Sequence, residues 1–163
     1  MAVTGCGKVV FNSVSDFTGG LAIGDTATVA VNAGCTPGHG TVTVGATATL
    51  EVPASETVTL AGDLTLDDGA TLAFNFTDRR IAPQLAIADG KTVTANGAVK
   101  VKITADCDWP TSGMRVLTSG ADFTGVPVAL DADAPKWAKG GLSVVDGNIV
   151  LYVKPKGTVV IFR

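Results

Sequence analysis

Asp63, Asp67 and Asp68 lie close together in the chain, and grouped carboxylates commonly serve two chemistries. A carboxyl of raised pKa facing an ionised partner cleaves glycosidic bonds, while several ionised carboxylates hold calcium. These three residues therefore nominate a polysaccharide lyase or hydrolase. The same stretch also spells Asp67-Asp68-Gly69, a turn in which aspartate bonds its own backbone and glycine takes a positive φ. The turn is the stronger reading, because no second acid cluster with a Lys or Arg partner stands nearby. Nucleophilic catalysis has less to stand on. The one histidine, His39, sits in Cys35-Thr-Pro-Gly-His39, and no nucleophile-elbow sequence occurs. That stretch offers two ligands where a structural zinc wants four, so no metal site is expected. No glycine-rich loop opens a helix to cradle phosphate, and no cofactor is implied.

Trp109 and Trp137 are the candidates for binding. They lie in Asp106-Cys-Asp-Trp-Pro110 and Ala134-Pro-Lys-Trp-Ala-Lys139, loop sequences where core packing demands an indole least. An exposed indole is a flat platform for a sugar or an anchor for a protein partner. The competing reading is that each covers a loop base or the end of the fold. Asn75-Phe-Thr77 matches a glycosylation sequon, which an alternating strand explains equally well. Glu51, Lys100 and Lys102 occupy polar positions of alternating strands and are expected to face solvent.

The elements that must carry these residues are short strands. Alternation and turn residues place them near 8–11, 21–23, 28–31, 41–44, 48–52, 57–60, 64–66 and 70–76, then near 85–87, 92–94, 98–103, 115–118, 126–130, 142–145, 148–153 and 158–162. No window carries a clear helical period, although 77–87 has room for one helical turn, limited by Pro83. A strand–turn–strand unit opens at Gly40, Gly62, Gly90 and Gly141, spaced 22, 28 and 51 residues, with an imperfect copy at Gly113 filling the long gap. Units repeating at roughly 20–30 residues must stack to bury their apolar faces. The fold class is therefore all-β, a parallel β-helix (solenoid), with a β-sandwich as the alternative. Val42, Leu50, Leu66, Leu72, Val99 and Val101 are expected to point inward. Cys6 and Cys35 are 29 residues apart, near one coil, so they are expected to stack and form a disulfide, leaving Cys107 free.

Composition narrows the setting. With 17% charged residues, 46% hydrophobic residues and a net charge of −3, the chain has no basic run for nucleic acid. No stretch approaches the roughly 20 apolar residues of a transmembrane helix. Met1-Ala-Val-Thr-Gly-Cys-Gly-Lys8 has neither the basic nor the apolar region of a signal peptide. Met1 reads as a start residue added to a segment of a longer secreted chain, the alternative being a complete small cytoplasmic protein.

Phe11-Asn-Ser-Val-Ser-Asp-Phe-Thr-Gly-Gly-Leu-Ala-Ile23, followed by Thr28-Val-Ala-Val-Asn-Ala-Gly34, resembles the autotransporter-associated β-strand repeat. Its aromatic-Thr-Gly element recurs in Ala121-Asp-Phe-Thr-Gly-Val126. The segments Gly40 to Val52, Gly69-Ala-Thr-Leu72, Met114 to Gly125 and Leu142 to Tyr152 resemble later parts of such passengers. The resemblance implies a right-handed parallel β-helix, with residues 1–163 forming one solenoid segment from the C-terminal part of a secreted, bacterial surface-displayed protein. A non-catalytic structural or adhesive role is the leading expectation. A carbohydrate-binding module using Trp109 and Trp137 comes second, and a polysaccharide-cleaving enzyme third. The expected partners are an extracellular glycan or surface protein, with self-association through the terminal strand. That strand, Gly157-Thr-Val-Val-Ile-Phe162, is apolar and flanked by Lys154, Pro155, Lys156 and Arg163. It is expected to fold back as a cap on the last coil, the alternative being addition to a neighbouring molecule.

Overall fold

The computed structural model describes residues 1–16 and 18–157. Thr-Val and Thr-Leu alternation produces strands throughout, since β-branched and aliphatic side chains suit a pleated surface with one buried face. The first rung holds β1 (Ala2–Val3) and β2 (Lys8–Phe11), and the second holds β3 (Leu21–Ile23) and β4 (Thr28–Val31). A third side appears in the next rung, with β5 (Val42–Val44), β6 (Thr49–Val52) and β7 (Thr57–Leu60). The fourth contains β8 (Leu64–Leu66), β9 (Thr71–Phe76) and β10 (Gln84–Ile87). Then come β11 (Val93–Ala95), β12 (Val99–Ala105), β13 (Gly113–Val116) and β14 (Thr118–Ser119). The last elements are β15 (Val128–Leu130), β16 (Leu142–Val145) and β17 (Asn148–Val153).

Strands stack by position in the rung rather than by order in the chain. One parallel sheet runs β1-β3-β5-β8-β11, a second runs β2-β4-β6-β9-β12-β15, and a third runs β7-β10-β14. In the first sheet the register steps from Ala2 to Ala22, Thr43, Thr65 and Thr94, advances of 20, 21, 22 and 29 residues. The result is an all-β protein of mostly parallel sheets, consistent with a β-helix or solenoid. Among the described residues, the face-to-face antiparallel sheets of a sandwich are not formed. Val42, Leu50, Leu66, Leu72, Val99 and Val101 all point inward, each between 0 and 2% exposed. Val29, Leu50, Leu72 and Val101 stand in one column, so each rung buries its neighbour's apolar face.

Corners decide how closely rungs approach. A Cβ added to Gly62 would lie 2.0 Å from the carbonyl oxygen of Gly40, and one on Gly40 would lie 2.6 Å from Gly19. The regular glycines thus mark places where backbone packs on backbone, which a side chain would forbid. Ala27, Ala48 and Ala70 keep another corner small, each wholly buried.

Several expectations require correction. The segment opening at Gly141 is not another parallel unit: β16 and β17 form an antiparallel hairpin, and β13 pairs antiparallel on the other side of β17. The hairpin turn explains the difference. Asp146 and Gly147 both have positive φ, 48° and 75°, as a two-residue type I′ hairpin demands. At Asp68-Gly69 the glycine alone is positive, and the chain turns a corner instead. Residues 77–87 contain no helical turn, and β10 occupies the last four. β1 was not foreseen, being two residues long. The terminal strand expected at 158–162 lies outside the described residues.

Leu72→Ala should lower the unfolding free energy by about 3 kcal/mol, the ordinary cost of emptying a well-packed site. The outward Thr43→Ala should change it by less than about 1 kcal/mol. Urea titration of both variants checks this, and equal losses would contradict the inward–outward assignment.

Candidate functional site

The three aspartates are brought onto one side of the fourth rung, flanking β8, beneath the longest step of their own sheet. Each reaches up to the rung above. Asp63 Oδ1 accepts from the Thr92 backbone N–H at 2.8 Å and from the Thr92 hydroxyl at 3.2 Å. Asp67 Oδ1 accepts from Asn96 Nδ2 at 3.1 Å, and Asp68 Oδ1 accepts from the Ala98 N–H at 2.8 Å. Gly97 leaves room for this: a Cβ there would sit 2.3 Å from Asp68 Oδ1. Asp67-Asp68-Gly69 is also a turn, closed by the Ala70 N–H on the Asp67 carbonyl at 2.9 Å. The backbone N–H of Thr92 is the main influence holding the Asp63 carboxyl below the usual range, against a smaller opposing effect of desolvation. A glycosidic general acid needs the opposite shift. The arrangement braces two rungs and leaves Asp63 unsuited to donate a proton.

Neither tryptophan stands free on the surface. Trp137 is 6% exposed and meets Phe76 edge-on, with ring centroids 5.3 Å apart and planes at 75°. It closes the C-terminal end of the core together with the buried Phe123 and Leu117. Trp109 is half-buried against that core, and its Nε1 donates to the Lys154 carbonyl at 2.7 Å. Its own carbonyl accepts from Arg79 Nε at 3.2 Å. Both indoles thus hold loops onto the end of the stack, as the covering reading expects, and the exposed platform is corrected for Trp137, which is buried. A loop-like sequence is no measure of exposure when the loop crosses the mouth of an apolar core.

Cys6 and Cys35 do not stack. Both are free thiols, as is Cys107, and the correction follows from rung length. Near the N-terminus one rung is 20 residues, so the turn holding Cys6 lies beneath Asp25 and Thr26, to which Gly5 is bonded. Cys35 adjoins Thr36, which bridges back to Val14 instead. His39 is exposed beyond the Pro37-Gly38 turn, and no three His, Cys, Asp or Glu side chains converge on a metal position among the described residues.

Other polar residues prove to be braces, a role the sequence did not suggest for them. Asn75 Nδ2 donates to the Pro53 carbonyl at 3.2 Å and to Asp106 at 2.6 Å, while its Oδ1 accepts from Thr104 at 3.0 Å. That places the sequon amide inside an inter-rung network. Buried Ser55 Oγ accepts from the N–H groups of Thr77 and Asp78, both at 2.9 Å. Nothing in Pro53-Ala-Ser55 distinguishes this serine from one in any turn.

The outward face of the six-stranded sheet is the broadest regular surface. Thr28, Thr49 and Thr71 form a column, continued by Lys100. Glu51 pairs with Lys8 at 2.8 Å across the intervening β4, while Lys100 and Lys102 are exposed as expected. A shallow hollow of about 110 Å³ lies there, and wider ones of about 290 and 420 Å³ lie beside Cys35 and beside Lys139. None joins a reactive side chain to a second group that would activate it. Comparison with protein-family models, curated proteins and solved structures finds no match for this chain.

Two outcomes test these assignments. Asp63 has a lower pKa folded than unfolded, so it stabilises the fold above its unfolded value and ceases to as pH falls through the folded one. Asp63→Asn should therefore flatten the acid limb of the melting-temperature profile below about pH 4; an unchanged limb would remove the bracing role. Unreduced protein should yield three alkylated cysteines by mass spectrometry. Cys6, which is exposed, should react before Cys107, whose thiol is pushed up by burial.

Proposed function

We propose that this chain is a non-catalytic structural and adhesive segment of a secreted, surface-displayed protein, wound as a right-handed parallel β-helix of the autotransporter-associated repeat class. One observation carries the reading: the residues with the best claim to chemistry are spent on joining rung to rung. Asp63, Asp67, Asp68 and Asn75 each bond the neighbouring rung, and Asn32 Nδ2 donates to Asn12 Oδ1 in the same manner. A rod braced in this way resists bending and offers long, regular faces, which suits display and adhesion to a glycan or surface protein. The sugar-binding alternative loses its main support with the burial of Trp137.

Antibody raised against the purified chain should label intact cells of the source organism. Labelling that appears only after permeabilisation would overturn surface display. Incubation with pectin-like polymers should release no reducing ends. Release that Asp63→Asn abolishes would restore the enzymatic reading.

A further inference from the structure

The two ends of the stack are built differently. At the C-terminal end the antiparallel group β13-β17-β16 takes over from the parallel sheets, and Thr118 Oγ1 accepts from the Ile149 N–H at 2.8 Å where the column below it holds Val58 and Leu85. Trp137 and Phe123 complete that closure. At the N-terminal end β1 and β2 are the outermost strands of their sheets, with nothing among the described residues paired on their outer side. Val9 stands in the column of Val29, Leu50 and Leu72, yet it is 38% exposed where Val29 is 0%. Met1, Val10 and Val14 on the same rung are exposed as well.

The backbone of this rung is equally one-sided. The carbonyls of Gly7 and Phe11 accept from Thr28 and Asn32, and those of Met1 and Val3 accept from Ala22 and Gly24. In a parallel ladder alternate residues face opposite neighbours, so the N–H and C=O groups of Ala2, Lys8 and Val10 point away from the stack. Asn12 lends its Oδ1 to Asn32, and the same side chain carries two N–H donors that this bond does not use. Edge strands are commonly guarded by a lysine. Lys8 does not guard this one, because its ammonium is drawn back across β4 to Glu51.

We propose that the first rung is a docking surface for a further parallel β-coil, which places an apolar side chain over Val9 and an acceptor over Asn12. The occupant follows from continuity: the surface repeats the interface already formed between the first and second rungs, strand for strand and column for column. A coil of about 20 residues running in the same direction satisfies the outward amides and the exposed column together. Growth is thus polar, open at the N-terminal face and stopped by the antiparallel closure at the other. This rests on the reading of the chain as a stalk segment, but it can fail while surface labelling succeeds, so the two are separable.

The test appends a second copy of residues 21–41 directly before Met1 of the whole chain and reads amide hydrogen exchange. The Val10 amide should slow at least about tenfold, with Val150 in the closure unchanged. A control carrying Val29→Asn within the appended copy should leave Val10 fast. Val10 remaining fast beneath the intact copy would overturn the proposal, as would equal protection by the control. A Val10 amide already slow in the unextended chain, accompanied by a dimer in light scattering, would assign the surface to a second copy and likewise overturn it.

Discussion

Stacking of one rung on the next is the interaction on which everything else in this protein depends. A rung of three- and four-residue strands cannot bury its own apolar side chains or satisfy its own backbone. Both needs are met only by a neighbour about 4.8 Å away, whose N–H and C=O groups complete the ladder and whose Val and Leu side chains cover the column. That spacing dictates composition. Where corners pack backbone against backbone, Gly40 and Gly62 leave no room for a Cβ, and Ala27, Ala48 and Ala70 keep another corner small.

The same constraint explains where the polar residues went. Turns projecting beyond the strands would drift apart without cross-links, and the widest step of the first sheet, from the fourth rung to the segment 92–98, has three aspartates reaching upward to it. Exposed hydrogen bonds of this kind add little singly, but they set register, and a register slip would turn inward columns outward. The single ion pair among the described residues, Lys8 with Glu51, spans three strands on the solvent face and adds under about 1 kcal/mol.

Termination needs a change of geometry. A further parallel rung would leave a further open edge, whereas the antiparallel β16-β17 hairpin uses backbone groups within itself. The Asp146-Gly147 turn makes that change, and Thr118, Phe123, Trp137 and Trp109 fill the space between closure and core. The indoles that invited a binding role are there because a large flat side chain covers the open end of an apolar column efficiently.

Strand positions and the identity of the buried face were legible from residues alone, because alternation is a property of the local backbone. Val42, Leu50 and Leu72 must face the side opposite to Thr43, Thr49 and Thr71 in any sheet that contains them. Partnership was not local. Whether Gly141 opened another rung or a hairpin depended on the φ of Asp146. Whether Cys6 met Cys35 depended on rungs of 20 and 21 residues near the N-terminus, against the 29 seen later. Whether Trp137 met solvent or Phe76 depended on which loop crossed the core's end. The sequence by itself determined what each strand buries; the tertiary structure decided what each strand is buried against, because loop path and corner length set the register between segments far apart in the chain.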